Sequence, residues 1–312
     1  MKTVGIIGGS GFIGSHITKK FLAENYKVRV SSTDISKPEK YNHLKSLMYA
    51  ENLEVFPLKV ENKEQLKSFI HGCEIVIHGG TAFQLEFQDP KKELFDPTIE
   101  GTINFLAIVK DTPSIKKVIF IASVAAYNTN FPMPAGGKSP DDTISETDTP
   151  FTSEESHPYA QAKFIANQTV EKFISDHPNI HFEITSVSPV GVMGKSLSNR
   201  QDSTSTGLQF LLKNNMAPNP FLQMIYDNDL EFAIVDVADV AEGVYSASVK
   251  TGLHGKNYLL SSESWRASDI TAMLNDKSPA GKARIIYKNE AAKHDLGMDF
   301  KPVVKSLTEF NN

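Results

Sequence analysis

The chain has 312 residues, a formal net charge of −5, 40% hydrophobic and 22% charged residues. That composition suits a soluble globular protein of one large or two small domains and excludes disordered, collagen-like and coiled-coil plans; with the negative net charge, a nucleic-acid surface is not expected. The single cysteine, Cys73, rules out an intrachain disulfide and a thiolate metal cluster.

In chain order, short β-branched apolar runs alternate with longer amphipathic stretches. The strand candidates are Thr3–Ile7, Lys27–Ser32, Glu54–Leu58, Glu74–His78, Lys117–Ala122 and Glu183–Ser188. Helix candidates lie between them, near 12–24, 39–51, 62–71, 91–111 and 158–177. Val118-Ile119-Phe120-Ile121-Ala122 is apolar on both faces, as a strand covered by helices on both sides must be. The alternation predicts an α/β fold with a Rossmann-type, doubly wound parallel sheet. A dinucleotide-binding domain over 1–187 and a smaller substrate lobe over 188–312 are expected. Residues 229–250, a short strand at Phe232–Val235 and a helix near 237–249, are expected to return to the large sheet. Ser196–Thr206 is polar and turn-rich and reads as a loop. Residues 131–158 form a long Pro-, Gly- and Ser-rich acidic segment, expected at the rim of a functional cleft. The most apolar run, Val118–Tyr127 interrupted by Ser123, reaches about half a membrane span. Met1-Lys2-Thr3 leads straight into a strand, so no signal peptide and a cytoplasmic location are expected, without membrane or nucleic-acid partners.

Gly8-Gly9-Ser10-Gly11-Phe12-Ile13-Gly14 joins the first strand to the first helix, with glycines spaced G-x-x-G-x-x-G. Gly8 permits a sharp turn at positive φ. Gly11 lets backbone N–H groups approach a pyrophosphate, and Gly14 lets the helix pack closely on the sheet. The helix N-terminus then offers free N–H donors and a partial positive charge to phosphates, with Ser10, Phe12 and Ile13 beside them. The second strand ends where an adenosine ribose would lie. Asp34, 20 residues after Gly14, is placed to bind a 2′-hydroxyl. Ser32, Thr33 and Lys37 could equally pair with a 2′-phosphate, and Asp34 could simply start the turn before Pro38. NAD and NADP both remain open as cofactor.

Ser123 ends the fifth strand candidate. Tyr159 and Lys163 stand four apart, which on a helix puts them on one face about 6 Å apart. A tyrosine of pKa about 10 is a poor proton donor or acceptor at neutral pH, and a nearby ammonium favours its phenolate. Tyr159 thereby becomes a candidate general acid or base, with Ser123 holding the substrate oxygen. The hydride must travel by way of a nicotinamide, since no side chain carries one.

On these residues the chain resembles the extended short-chain dehydrogenase/reductases, in the NAD-dependent epimerase/dehydratase group and its dihydroflavonol reductase-like branch. The matching segments are Gly8–Gly14, Gly72–His78, Pro97–Asn104, the triad Ser123, Tyr159 and Lys163, Ser188–Gly194, Val235–Ala241 and Leu296–Phe300. The resemblance implies that Lys163 also holds the nicotinamide ribose, and that Val60, Gly79, Gly80, Thr81, Ala122, Pro189, Val190 and Val192 line the cofactor. It also implies a homodimer through a helical face. Departures are Ile7 for a usual Thr, Lys59 for an Asp near the adenine, and Thr33 for the Arg of the reductase branch. Thr98 takes the position of a fourth polar member, often Asn.

Sugar-nucleotide dehydratases of this type carry an Asp-Glu pair directly after the serine. Here those positions are Val124 and Ala125, which cannot move protons. The separation of 36 between Ser123 and Tyr159, the acidic rim segment and the lack of a basic cluster in the second lobe favour a reductase of aldehydes or ketones. An epimerase of a sugar-type substrate is the alternative, and a non-catalytic sensor of NAD(P) the second. The histidines at 16, 43, 71, 157, 177, 181, 254 and 294 show no metal-ligand spacing. His78, Trp265, Ser264, Arg266, Phe83, Phe87 and Phe131 are candidate pocket or core residues, with core expected for His78 and Trp265. Loops near 83–96, 131–157 and 195–225 would set the substrate.

Overall fold

The computed structural model describes residues 1–79, 89–200 and 203–310. The first strand β1 (Thr3–Ile7) leads through the glycine turn to α1 (Phe12–Ala23), followed by β2 (Lys27–Ser32). The chain continues with β3 (Leu53–Pro57), α2 (Lys63–Ile70), β4 (Ile75–His78) and α3 (Asp96–Lys110). Next come β5 (Lys117–Ile121), α4 (Pro158–Asp176), β6 (Glu183–Pro189) and β7 (Gly191–Met193). The remainder holds α5 (Thr204–Lys213), α6 (Pro220–Asp227), β8 (Glu231–Asp236), α7 (Val237–Val249), β9 (Asn257–Leu260), β10 (Glu263–Arg266), α8 (Ala267–Leu274) and α9 (Val303–Glu309).

Among the described residues, seven strands form a parallel sheet in the order β3-β2-β1-β4-β5-β6-β9. All five residues of β5 are buried, as the two-sided apolar run requires. Helices α1 and α7 pack together on one face, and α2, α3 and α4 line the other. The strand order reverses between β1 and β4, so the crevice of a doubly wound sheet opens at the carboxyl ends of those strands.

A second sheet, β10-β8-β7, belongs to the smaller lobe and packs with α5, α6, α8 and α9 around Leu212, Ile225, Ile234, Ile270 and Leu307. Here the sequence expectation for 229–250 is corrected. Strand β8 pairs with β7 and β10, not with the large sheet; β9 is the strand that joins the large sheet beside β6. Helix α7 does return, lying against α1.

Two helix expectations change form. The stretch near 39–51 folds as three short 3-10 turns, Pro38–Lys40, Asn42–Ser46 and Ala50–Asn52. Tyr41, Leu44 and Leu47 recur every third residue, and their backbones chain through Leu44 N to Tyr41 O (3.0 Å) and Leu47 N to Leu44 O (3.2 Å). That spacing suits a three-residue turn as well as an α-helix, and packing of Leu44 into the core selects the tighter form. The helix near 91–111 begins with a π turn, Lys91–Phe95, before α3. The loop expected at Ser196–Thr206 ends early, because Ser203 caps α5 through Thr206 N.

The acidic segment 131–158 is anchored to the body. Ile144 is buried and exchanges backbone hydrogen bonds with the chain around Tyr287. The Glu146 carboxylate accepts from Leu259 N at 3.0 Å, so this acid faces β9 and not the rim. Among the described residues no helix is long and apolar enough to cross a membrane.

Candidate functional site

The expected site residues gather along one edge, the carboxyl ends of the parallel strands. Gly8–Gly14 follow β1, Ser32 ends β2 and Thr33, Asp34 and Lys37 follow it, Val60 lies beyond β3 and Gly79 follows β4. Ala122 and Ser123 follow β5, and Pro189 closes β6. Val190 and Val192 lead from that edge into the smaller lobe, where Val192 pairs with Val235 of β8. Gly80 and Thr81, with Phe83 and Phe87, lie outside the described residues.

At the glycine turn Gly8 has φ +79°, and its N–H donates to the Ser31 hydroxyl at 2.8 Å. A Cβ on Gly14 would stand 2.0 Å from the Gly8 carbonyl oxygen. The close approach that Gly14 permits is therefore to the turn itself, and not to the sheet face as expected from the sequence. Gly11 is exposed and precedes the first turn of α1, which no side chain caps and which carries no acidic residue. An uncapped helix N-terminus beside an exposed glycine turn is a fitting cradle for a dinucleotide pyrophosphate. Beneath it, Ser15 Oγ donates to Gly11 O at 2.6 Å and contacts His43 Nε2 at 2.8 Å.

Beyond β2, Asp34 turns into its own loop. Its Oδ1 accepts from Ser36 N at 3.0 Å and from Ser36 Oγ at 2.6 Å. These bonds hold its carboxyl below the ordinary carboxylate range. Asp34 Oδ1 thus closes a local turn before Pro38. Lys37 stands 4.0 Å from Asp34. Lys40, which the sequence reading did not single out, donates to Thr33 Oγ1 at 3.3 Å.

The reacting end is assembled from α4 and β5. Helix α4 starts at Pro158, whose fixed φ suits the first helical position, and His157 Nδ1 accepts from Tyr159 N at 3.2 Å. Tyr159 is thus held in the first turn. One turn on, Lys163 is 7% exposed and its Nζ donates to Ile121 O at 3.3 Å. That bond ties α4 to the carboxyl end of β5, two residues before Ser123. Ser123 is extended, and its Oγ accepts from Ala125 N at 3.2 Å, opening the turn Val124–Ala126 against which α4 packs. Val124 and Ala125 are buried.

Burial sets the electrostatics here. It pushes the Tyr159 phenol above its ordinary value and draws the Lys163 ammonium down to about 8. The sequence expectation was that the ammonium lowers the tyrosine; in the protein alone, desolvation dominates both groups. His78 lies nearby, its ring 4.7 Å from Phe105 and 5.2 Å from Phe120. Burial, and then the Lys163 charge, lower it to about 4, so it stays neutral. His78 and Trp265 are both core residues, as expected, Trp265 bonding Glu263 Oε2 at 2.9 Å. Phe131 packs on Phe232 and Tyr287. Ser264 is buried and Arg266 exposed. Among the described residues no group of His, Cys, Asp or Glu could hold a metal.

Two contacts across long sequence separations frame the cleft. Lys195 O meets His16 Nε2 of α1 at 2.9 Å, and Arg200 donates to Lys40 O at 3.0 Å. No local pattern announces either.

These features define an α/β protein of the dinucleotide-binding class, with its cleft at the switch point of a doubly wound sheet. Residues 4–261 match the NAD dependent epimerase/dehydratase family, and the chain belongs to that family. It is similar to a cinnamoyl-CoA reductase of Medicago truncatula, 26% identical, with 97% of this chain and 93% of the relative covered. It is also similar to an anthocyanidin reductase ((2S)-flavan-3-ol-forming) of Vitis vinifera, 24% identical over 99% of this chain and 90% of the relative. Among solved structures it resembles Gre2 of Candida albicans in complex with NADPH, with TM-score 0.83 over 100% of this chain and 98% of that chain. That pair is 21% identical, a likeness of fold.

Proposed function

We propose that the protein is an NAD(P)H-dependent carbonyl reductase, converting an aldehyde or ketone to an alcohol reversibly. The observation that carries this reading is Lys163, buried at the carboxyl end of β5 close to Ser123 and one helical turn from Tyr159. The related proteins named as reductases support it. So do Val124 and Ala125, which leave no carboxylate beside Ser123 to drive an elimination.

The bound nicotinamide supplies the hydride acceptor or donor. Ser123 Oγ orients the carbonyl oxygen. The raised phenol pKa keeps the proton on Tyr159 Oη at neutral pH, ready to pass to the developing alkoxide. Lys163, charged below about pH 8, stabilises the phenolate left behind. Its bond to Ile121 O fixes the ammonium against the strand that presents Ser123.

The preferred cofactor in this reading is NADPH. Asp34 Oδ1 is engaged by Ser36, while Lys37, Lys40 and the Thr33 hydroxyl offer charge and hydrogen bonds to a 2′-phosphate. The test is a panel of aldehydes and ketones with NADPH, following loss of nicotinamide absorbance. Stoichiometric oxidation by at least one carbonyl supports the reading. Tight binding with sugar-type substrates interconverted and no net oxidation would instead make the protein an epimerase.

A further inference from the structure

Gln209 lies in the middle of α5, a helix of the smaller lobe, and its side chain has no exposure. A buried amide costs free energy unless its polar atoms are bonded. Here they are all engaged. Oε1 accepts from Gly194 N at 2.9 Å, and Nε2 donates to Gly194 O at 3.3 Å and to Ser205 O at 3.3 Å. One side chain therefore serves both backbone groups of Gly194, as a neighbouring strand would.

Gly194 needs such a partner. Its pairing with β8 has ended, since the register of β7 stops at Met193. Its φ is +128°, and a Cβ there would lie 3.2 Å from Asp236 Oδ2. The segment it terminates begins at Pro189, where β6 leaves the carboxyl edge alongside β5. Ala122 N bonds Val187 O at 2.8 Å, and Val190 N bonds Leu260 O at 3.1 Å. Just beyond Gly194, Lys195 O meets His16 of α1. Residues 189–195 thus form one wall of the cleft, running from the Ser123 end towards the helix that follows the glycine turn.

We propose that Gln209 is a positioning residue that fixes this wall, and so holds the nicotinamide end of a bound dinucleotide in register with Tyr159 and Lys163. The inference rests on the dinucleotide reading above. Its physical content is a coupling: a helix of the substrate lobe sets the backbone of the cofactor wall. The adenosine end, built on the β1 turn and the end of β2, has no contact with Gln209 among these bonds and should not feel its loss.

Equilibrium titration separates the two ends. NADPH and 2′,5′-ADP, which lacks the nicotinamide half, are titrated into the wild-type chain and into Gln209→Leu. Leucine fills the space but orphans both Gly194 groups, a loss that corresponds to roughly a tenfold effect. NADPH should weaken about tenfold and 2′,5′-ADP stay within about twofold. No change for either, or equal weakening of both, overturns the proposal. Gln209→Glu covers the case in which the leucine variant does not fold. A carboxylate keeps the acceptor but loses the donor to Gly194 O, and protonation restores it. NADPH affinity relative to wild type should therefore recover as pH falls from about 8 to 6, and a flat ratio overturns the proposal. Wild-type chain that binds neither nucleotide overturns the dinucleotide reading, and the proposal with it.

Discussion

The two ends of the cleft are built by different physics. At the glycine-turn end the work falls to backbone: a positive φ at Gly8, a missing Cβ at Gly14, an uncapped helix terminus, and the Ser31 hydroxyl under the turn. At the Tyr159 end it falls to titratable side chains, a half-buried tyrosine and a buried lysine, whose proton affinities are moved by desolvation. Steric demands of the first kind are local, and residue types spell them out. Electrostatic demands of the second kind exist only once other elements have closed over the groups.

The sharpest way to break this comparison is Tyr159→Phe. It should lower kcat by about 10²–10⁴-fold, the range for removal of a general acid, while the dissociation constant for NADPH stays within about twofold. Near-normal turnover would remove Tyr159 from the chemistry. Gly14→Ala probes the other end. Its Cβ would meet backbone, which cannot swing aside, so a loss of about 1–3 kcal/mol or more is expected. The measurement is urea unfolding without cofactor, and an unchanged midpoint would show that the turn adapts.

Lys163 makes a pH prediction of defined sign. Its folded-state pKa of about 8 lies below the ordinary lysine value of about 10.4. Between those values the unfolded chain binds more protons, so stability rises with pH across that window, and the full penalty is present below about pH 8. Lys163→Met should therefore be more stable than wild type at pH 7, by on the order of 3 kcal/mol at most, with the advantage shrinking by pH 10. Parallel denaturation curves at the two pH values decide it; an advantage that does not shrink contradicts a buried ammonium. For activity the sign is opposite: kcat/KM for the cofactor, which reports free enzyme, should fall above about pH 8. The smallest effect is expected at the half-buried Lys40. Lys40→Ala should reduce preference for NADPH over NADH by roughly three- to tenfold, read as a narrowed gap between the melting-temperature rises given by the two nucleotides.

Much of the architecture was legible before any coordinates. Strands β1 and β2 and helix α7 fall at the expected residues, because two-sided apolar runs and amphipathic spacing survive any packing. The segment near 39–51 was not legible as 3-10 turns, since Tyr41, Leu44 and Leu47 satisfy both periods. Strand β9 was missed because Asn257-Tyr-Leu-Leu260 is only four residues long, with a single short apolar run. In the cleft, the glycine turn, Ser123, Tyr159 and Lys163 lie along one edge, as their expected roles require. The sequence did not mark Lys40, Arg200, His16 or Gln209, whose partners are set by tertiary contact.

The amino-acid sequence by itself determined the doubly wound plan, the glycine turn and the helical phase of Tyr159 and Lys163, because backbone sterics and side-chain periodicity act over a few residues. Only the tertiary structure decided which strand closes the large sheet, where Asp34 points, and how far burial shifts the lysine and the tyrosine. Those outcomes depend on what distant segments bring against each group, and desolvation has no local signature.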